Sequence, residues 1–492
     1  MTEYGLLIGG EEVPAASGAT FGALNPTTGE TWATHAEAGA DDVDRAVSAA
    51  RAAFGSEAWR SLTPTRRGRL MMRLADLIGE RAEELAAIEV ADNGKLYKEM
   101  LAQLRVIPEW LYYFGGLADK VEGRVVPLDR PNVLNYTLRE PLGVVGIIVP
   151  WNSPVLLTMY TLAPALAAGN AVVVKPSEHA SASVLETLRL AADAGFPPGI
   201  VNVVTGAGET GRALVEHPGV AKVSFTGSEE TGKRIAASAG ARLAPVTLEL
   251  GGKSPNIVFP DAALDAAEAG ILAGIYAAAG QTCVAGSRAL FHREVYDELL
   301  ERVQRRAGSI VIGDPMDAAT QMGPIANEPQ LERVERMVAA ARSEGARVVA
   351  GGARAAVTTF PDGLWYQPTI VDGVGNGATI AQDEVFGPVL TVLPFETEEE
   401  AVAIANDTRF GLAAGVWTRD VKRAHRVASR LRAGTVWINL YRAITFNSPF
   451  GGFKESGFGR VNGAEAIDGY LQTKSVWCEL SEEVQDPFVM KV

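Results

Sequence analysis

A cysteine and a glutamate in glycine-containing segments are the residues of this chain that best predict chemistry. Cys283 ends the segment AGQTC (279–283), and Glu249 lies upstream in LELGGKSP (248–255). A thiolate is a strong nucleophile and a partly desolvated carboxylate can act as a general base, so the two together suggest covalent catalysis. Two ordinary readings stay open, because a free cysteine is often a small buried hydrophobe and a glutamate is usually a helix cap or a surface ion pair.

Apolar residues at helical spacing precede these segments. The pattern predicts amphipathic helices over 41–54 and 65–92, the first opened by acidic residues and the second ended by an Asn-Gly pair. Residues 124–139 instead carry β-branched and aromatic side chains around a Pro-Asn break, which predicts a hairpin that projects from the main body.

From residue 141 onward, strand-like apolar runs alternate with helical ones. The strand-like runs are GVVGIIVP, AVVVKPS, IVNVVTG and AKVSFTG, with helices predicted over 156–168 and 182–194. Such alternation is typical of βαβ units and predicts an α/β fold with a parallel sheet covered by helices. Ligands of such sheets bind beyond the carboxyl ends of the strands.

Two glycine loops compete for the pyrophosphate of a dinucleotide. GAGETG (206–211) follows a strand and fits GxGxxG, with the acidic Glu229 downstream, whereas FTGSEETG (225–232) also leads from a strand into a helix. Either loop can direct backbone N–H groups at a phosphate, so the residue patterns alone leave the choice open.

Composition narrows the class of protein. The chain has 492 residues with 59 acidic and 45 basic side chains, and its net charge of −14 opposes binding to nucleic acid. No apolar run approaches the ~18 residues of a membrane span, and the first residues lack the features of a signal peptide, so we expect a cytoplasmic protein without membrane contact. Cys283 and Cys478 lie in no Cys/His cluster, so no metal site is predicted.

A series of motifs in a fixed order resembles the aldehyde dehydrogenase superfamily. The motifs are PWNSP (150–154), VKPSE (174–178), FTGS (225–228), LELGGKSP (248–255), GQTC (280–283), EVFGP (384–388) and PFGGFKESGFGR (449–460). The N-terminal helices and the C-terminal tail also resemble the family, so the resemblance covers nearly the whole chain. It implies a hydrolytic, NAD(P)-dependent enzyme that acts on a small-molecule aldehyde.

The resemblance also implies a three-part α/β architecture. A Rossmann-like NAD-binding domain is expected over 1–120 and 141–250, an α/β catalytic domain over 251–465, and a small β oligomerisation element over 121–140 and 466–492. The predicted hairpin and the strand YLQTKSVW would form that element. The expected assembly is a homodimer or a homotetramer.

The catalytic residues implied by the resemblance are Cys283, Glu249, Asn152 and Lys175. The Cys283 thiolate would attack the aldehyde carbon, while the Asn152 side-chain amide and the Cys283 backbone N–H stabilise the oxyanion of the thiohemiacetal. Loss of hydride to the nicotinamide leaves a thioester, which water activated by Glu249 would hydrolyse. The implied product is a carboxylic acid.

The implied cofactor is NAD, with NADP possible. Lys175 and Glu178 would hold the adenosine ribose, and the carboxylate would repel a 2′-phosphate, which favours NAD. Ser228 would face the pyrophosphate, so the resemblance favours FTGS over GAGETG, while Glu384 and Phe386 would hold the nicotinamide ribose and ring. The full predicted cofactor-binding set is Pro150, Trp151, Lys175, Ser177, Glu178, Gly208, Phe225, Thr226, Gly227, Ser228, Leu250, Glu384 and Phe386.

The substrate is less closely defined. Residues that resemble the lining of the family's aldehyde tunnel are Ser153, Leu157, Tyr160, Val284, Arg442, Ile444 and Phe450. A guanidinium at the tunnel mouth could pair with a carboxylate, so Arg442 suggests a semialdehyde substrate. The alternative for Arg442 is a surface or inter-subunit salt bridge.

The sequence departs from the family pattern at two positions, and two other functions stay open. Ala278 stands where many relatives carry Asn, and Val461 replaces a glutamate that commonly follows SGxGR. Neither is expected to abolish the chemistry, and either helix packing or loop order near the thiol is expected to differ. A CoA-acylating dehydrogenase would form the same thioester but generally lacks a base at the position of Glu249. A non-catalytic binding or structural protein would not need Cys283, Asn152 and Glu249 together.

Overall fold

The computed structural model describes residues 2–482 and Phe488 and contains two large, mainly parallel sheets. The first sheet has eight strands, in the spatial order Gly457–Phe458, Val246–Glu249, Lys222–Thr226, Val144–Ile148, Ala171–Lys175, Val201–Val203, Leu6–Ile8 and Glu11–Val13. Neighbours from Val246–Glu249 to Val201–Val203 pair in parallel, and the outer strands pair antiparallel. All four strand-like runs of the sequence therefore form strands of one sheet.

Helices cover this sheet. They are Ala40–Gly55, Glu57–Arg60, Pro64–Glu80, Ala82–Asn93, Tyr97–Val106, Pro108–Leu117, Pro154–Ala168, Ala182–Asp193, Gly208–Glu216 and Glu229–Ala241. Pro154–Ala168 is buried along almost its whole length, which explains why its sequence is apolar on every side.

The prediction of one helix over 65–92 is wrong, since the chain forms two helices there. Arg81 leaves the helical conformation (φ −105°, ψ 14°), and Glu83 and Glu84 open the next helix. Acidic residues in a first turn favour a new helix start, because they interact with its unpaired N–H groups. The predicted end at Asn93 is confirmed, and Gly94 caps the helix with a φ of +72°.

The second sheet has seven strands, in the spatial order Arg347–Ala350, Thr369–Asp372, Val389–Phe395, Arg288–His292, Pro255–Val258, Ala413–Trp417 and Thr435–Ile438. All of its pairs are parallel except the pair with the edge strand Arg347–Ala350. Its helices are Leu264–Tyr276, Tyr296–Gly308, Glu328–Ser343, Thr379–Gln382, Glu398–Asn406 and Val421–Arg430, with 3₁₀ turns at Ala277–Gly280 and Arg293–Val295. A third 3₁₀ turn, Ala464–Tyr470, packs against the helix Pro154–Ala168.

Three small sheets complete the structure. The predicted hairpin is confirmed: Val125–Val126 pairs antiparallel with Val133–Pro141, and the C-terminal strand Leu471–Glu479 adds to its other side. The remaining two sheets combine Thr2–Tyr4, Thr31–Ala36 and Thr20–Leu24, and Phe410–Gly411 with Phe453–Lys454.

The α/β character of the prediction is confirmed by these sheets, whereas the domain boundaries stay a prediction. Gly457–Phe458, from the range assigned to the catalytic domain, pairs with the edge strand of the first sheet. Residues 483–487 and 489–492 of the predicted oligomerisation element, and Met1, lie outside the described residues. Within the described residues, no helix is long and apolar enough to cross a membrane.

Candidate active site

The thiol loop leaves the helix Leu264–Tyr276 through an unusual backbone turn. Ala278, Ala279 and Gly280 all have positive φ values, of 54°, 52° and 71°. A Cβ on Gly280 would lie 2.0 Å from the carbonyl oxygen of Gly387, so this position requires glycine. Alanine in the left-handed region costs about 1–2 kcal/mol per residue. The departure from asparagine, which tolerates this conformation, therefore places strain directly before Cys283.

Gln281 anchors the loop after this turn. Its side chain is buried, accepts a hydrogen bond from the Ala326 N–H (2.9 Å) and donates to the carbonyl of Pro324 (3.3 Å). The Gln281 carbonyl in turn accepts a hydrogen bond from Nδ2 of buried Asn152 (2.9 Å). These bonds fix the Asn152 amide beside the thiol loop, as the predicted oxyanion role requires.

Cys283 is half-buried, and its thiol is held in the protonated form. Burial and the carboxylates of Glu384 and Glu249 raise its pKa to about 12, against the opposing effect of the Val284 and Cys283 backbone N–H groups. Both amides therefore lie where they favour negative charge at the sulfur or on a group bonded to it. The thiol accordingly needs a proton acceptor before it can attack.

Glu249 ends a strand of the first sheet and is buried without side-chain partners. Neither carboxylate oxygen has a hydrogen-bond partner, and burial raises the carboxyl pKa well above its usual value, with Arg460 acting in the opposite direction. Its backbone is fixed by pairing with Thr226 and Gly457. A Cβ on Gly451 would lie 2.8 Å from Oε1, so a glycine leaves room for the carboxylate. The cap and surface-ion-pair readings are thereby excluded.

A loop from the second sheet lines the same cavity as this carboxylate. Oε1 of Glu384 accepts a hydrogen bond from the Gly252 N–H (3.0 Å), and burial raises the Glu384 pKa to about 7. Phe386 has a φ of 57° and contacts Trp151 edge-on, with 5.3 Å between ring centroids. Glu384 and Phe386 thus lie in the cavity that also contains Cys283 and Glu249.

A second cavity adjoins the first along the carboxyl ends of the first sheet. Lys175 ends its strand there; its buried Nζ donates to the carbonyls of Pro176 (2.7 Å) and Gly206 (2.6 Å) and lies 3.9 Å from Oε2 of Glu178. Burial lowers the pKa of Lys175 to about 8. Lys175 and Glu178 line this cavity together, whereas Cys283 does not line it.

Both glycine loops lie at this second cavity. Ser228 caps the helix Glu229–Ala241 by accepting from the Thr231 N–H (3.3 Å), and Gly208 opens the helix Gly208–Glu216. Each helix start therefore presents unpaired N–H groups beside the same space. The preference for FTGS stays a prediction.

A third cavity of about 280 Å³, which we call the tunnel, is also lined by Cys283. Its lining includes every predicted substrate residue: Ser153, Leu157, Tyr160, Val284, Arg442, Ile444 and Phe450. Arg442 is half-buried, donates to the carbonyl of Ala273 (2.9 Å) and takes part in none of the ion pairs found among the described residues. Arg442 thus lines the tunnel, and it forms no surface salt bridge with the residues that the structure describes.

Cys283 lines both the tunnel and the cavity of Glu249. That cavity shares Pro150, Trp151, Thr226, Gly227 and Ser228 with the cavity of Lys175 and Glu178. The remaining predicted cofactor residues, Ser177, Gly208, Phe225 and Leu250, line one or the other of the two. The structure therefore places all predicted site residues in three cavities that share lining residues. Cys283 lines both the cavity of Glu249 and the tunnel.

Several lining residues were not found from the sequence. Trp110 stacks on Tyr160 at 5.3 Å between centroids, and its Nε1 donates to Oδ1 of Asn462 (2.7 Å), next to the departure at Val461. Gln330 and Arg333 hold the loop of Glu384 and Phe386 by donating to its carbonyls. Lys95, which is buried, also lines the tunnel. None of these residues lies in one of the sequence motifs, so no local signal marks them.

Among the described residues, no three His, Cys, Asp or Glu side chains are grouped as metal ligands would be. The polar groups of the site are instead a thiol, carboxylates, an amide and the ends of two helices. This set can bind a dinucleotide and carry out acyl chemistry on sulfur.

Comparison with known proteins identifies the family. The chain matches the model of the aldehyde dehydrogenase family over residues 13–476. The chain therefore belongs to the aldehyde dehydrogenase family, and the resemblance found in its motifs is confirmed.

Individual relatives are similar to this chain over nearly its full length. The (Z)-2-((N-methylformamido)methylene)-5-hydroxybutyrolactone dehydrogenase of Acinetobacter baylyi is 45% identical over 495 residues, covering 100% of each protein. The mitochondrial aldehyde dehydrogenase of Mesocricetus auratus is 44% identical over 483 residues, covering 97% of this chain and 95% of the relative. The NAD⁺ complex of an aldehyde dehydrogenase from Bacillus cereus is 43% identical with a TM-score of 0.95 and covers 97% of both chains. The predicted fold is thereby confirmed.

Proposed function

We propose that this protein oxidises an aldehyde to the carboxylic acid with NAD, through a thioester on Cys283. The observation that carries the proposal is the position of Cys283 between two cavities. One contains Glu249, Glu384 and Phe386 and continues to Glu178, and the other is the tunnel. A nucleophile in that position can contact a substrate on one side and a cofactor on the other.

The cofactor assignment rests on the residues of the first two cavities. The half-exposed carboxylate of Glu178 suits the ribose hydroxyls, and the starts of two helices suit a pyrophosphate. The solved NAD⁺ complex from Bacillus cereus supports NAD in particular. When bound, NAD supplies the hydride acceptor. Lys175 lies with Glu178, so we assign it to cofactor binding; its proposed catalytic role stays a prediction.

In the proposed reaction, the Cys283 thiol gives its proton to solvent water, and the sulfur bonds to the aldehyde carbon while the C=O π electrons move to the oxygen. The Asn152 amide and the Cys283 backbone N–H donate to the resulting oxyanion. After oxidation Cys283 carries the acyl group as a thioester, and Glu249 takes a proton from the water that attacks it. The raised pKa of Glu249 makes its carboxylate a stronger base than that of an exposed glutamate.

The substrate class is supported by one relative. The Acinetobacter baylyi protein is named for a 5-hydroxybutyrolactone, and such a lactone is the ring-closed form of an acid that carries an aldehyde. A carboxylated aldehyde is therefore our choice among substrates, in agreement with the hypothesis based on Arg442.

Assembly and location are proposed on less evidence. The sheet formed by Val125–Val126, Val133–Pro141 and Leu471–Glu479 exposes apolar side chains, including Val125 and Trp477, which are 72% and 59% exposed. Such a surface suits contact with another copy of the chain, so we propose a homodimer or homotetramer. A cytoplasmic location stays a prediction.

Product analysis separates the proposed function from its alternatives. The protein is incubated with an aldehyde and NAD, with and without CoA, and the products are identified by mass spectrometry. The proposal predicts NADH and the free carboxylic acid in both incubations. An acyl-CoA product would assign the CoA-acylating function, and no NADH with any aldehyde of a broad panel would favour a non-catalytic protein.

A further inference from the structure

Besides Arg442, the tunnel is lined by a second cationic side chain, which the sequence motifs did not predict. Its charged side chains are Lys95 and Arg442, and none of the described residues that line it carries a carboxylate. The remaining lining is apolar or neutral, including Trp110, Tyr160 and Phe450. A tunnel with two cations and no acidic lining residue attracts an anionic substrate.

Lys95 is held so that its ammonium faces the tunnel. The residue follows Gly94, and its side chain is only 5% exposed. Nζ donates to Oγ of Ser153 (2.6 Å), which is itself a tunnel residue at the start of the helix Pro154–Ala168. An ammonium has three donors. Ser153 uses one of them, which leaves donors for a ligand in the tunnel.

A buried carboxylate favours the charged form of Lys95. Burial lowers the pKa of Lys95, and the negative charge of Glu89 opposes that effect. Glu89 is fully buried, and neither of its carboxylate oxygens has a hydrogen-bond partner. If Lys95 served only to neutralise Glu89, a direct hydrogen bond between the two would be expected. Its short bond instead goes to Ser153, on the tunnel wall.

Arg442 provides the other half of the arrangement. Of its five donors, Nη1 is engaged with the Ala273 carbonyl (2.9 Å). Lys95, Arg442 and Cys283 line the same cavity, and both cations also interact electrostatically with Glu99, which is not part of its lining. A short substrate bound at Cys283 can therefore present a second group to both cations.

We propose that Lys95 and Arg442 together bind a carboxylate on the substrate, so that the enzyme prefers semialdehydes over neutral aldehydes of the same size. The proposal rests on the proposed oxidation of aldehydes and names its substrate class. Lys95 is the specificity-determining residue that it adds, and Ser153 positions its ammonium.

The test compares succinate semialdehyde with butanal, which has the same chain length without the carboxylate. For each protein, kcat/KM for the semialdehyde is divided by kcat/KM for butanal, with NAD saturating. Wild type is compared with Lys95→Met, Lys95→Arg and Arg442→Met. Lys98→Met is the matched control, because Lys98 is exposed and lies three residues further along, outside the tunnel lining.

We expect wild type to prefer the semialdehyde, and Lys95→Met and Arg442→Met each to lower the ratio about tenfold or more, since a hydrogen bond to a charged group is lost. The loss is expected mainly in KM for the semialdehyde. Lys95→Arg should recover most of the ratio, and Lys98→Met should keep the wild-type value.

Two results overturn the inference. One is a wild type without preference for the semialdehyde. The other is a Lys95→Met variant whose kcat/KM falls equally for both substrates, as expected if Lys95 acts on the thiol or on folding. If Lys95→Met fails to fold, the double variant Glu89→Gln/Lys95→Met removes both buried charges and must show the same lowered ratio. Failure of wild type to oxidise any aldehyde contradicts the proposed function instead, so the two failures are distinguishable.

Discussion

Replacement of Glu249 by glutamine separates the two halves of the proposed reaction. Glutamine has nearly the same shape, and the oxygens of Glu249 have no hydrogen-bond partner to lose. The carboxylate also raises the pKa of the Cys283 thiol, so its removal favours the thiolate and does not slow the first half. Only hydrolysis of the thioester loses its base.

The expected magnitude follows from the missing proton transfer. General base catalysis contributes about 10²–10⁴-fold, so steady-state turnover of Glu249→Gln should fall by about that factor. The first turnover should be retained, with a burst of about one NADH per Cys283, because each site stops as an acyl-enzyme. In wild type the hydrolysis rate should rise with pH as the Glu249 carboxyl, whose pKa is raised, loses its proton.

Stopped-flow absorbance at 340 nm measures the burst, and mass spectrometry of the quenched protein detects the acyl group on the peptide of Cys283. A variant that loses the burst together with steady-state turnover would place Glu249 in the first half and refute this reasoning.

Stability provides a check on folding. Burial raises the native pKa of this carboxyl, so the native state binds more protons than the unfolded state and stability falls as pH rises from the usual carboxyl pKa towards the raised one. Glu249→Gln should therefore have a higher Tm than wild type at pH 8.

Three further predictions concern the thiol, the cofactor and the loop. In a Cys478→Ala background, alkylation of Cys283 by iodoacetamide should accelerate about tenfold per pH unit from pH 7 to 10, because its pKa is about 12. Glu384→Gln should speed alkylation at fixed pH, because the Glu384 carboxylate contributes to the raised pKa of Cys283. An equal rate with and without this substitution would contradict that contribution. Glu178→Ser should raise kcat/KM with NADP relative to NAD, measured at 340 nm, by removing a repelling charge. Gly280→Ala should abolish turnover and lower Tm in thermal melts, since its Cβ would lie 2.0 Å from a backbone oxygen.

The parts of the fold that were predictable have strong local signals. The parallel strands around Val144–Ile148 are continuous apolar runs, since both faces of such a sheet are buried. The hairpin at Val133–Pro141 is marked by β-branched residues beside a turn. The break at Arg81 lacks such a signal, because arginine is compatible with a helix. The only local sign of a new helix is the pair Glu83 and Glu84 in its first turn.

The site was predictable where its residues lie in motifs. Cys283 and Glu249 come from separate segments, but each lies in a motif that resembles the family's. The fold brings the two residues to one cavity. Lys95, in the loop after Gly94, and Trp110, on the helix Pro108–Leu117, lie far from the motifs in sequence and reach the tunnel through tertiary packing that local patterns do not specify. The positive φ of Ala278 could not be predicted from alanine, which rarely adopts it.

The central claim is that the thiol of Cys283 forms the bond to the aldehyde. The most direct measurement compares NADH formation at 340 nm from a panel of aldehydes, including succinate semialdehyde, in wild type, Cys283→Ala and Cys478→Ala. The two variants each remove one of the two cysteines, and Cys478 is exposed on the C-terminal strand, away from the cavities. The account predicts no turnover in Cys283→Ala and wild-type turnover in Cys478→Ala. Turnover that survives in Cys283→Ala would contradict it.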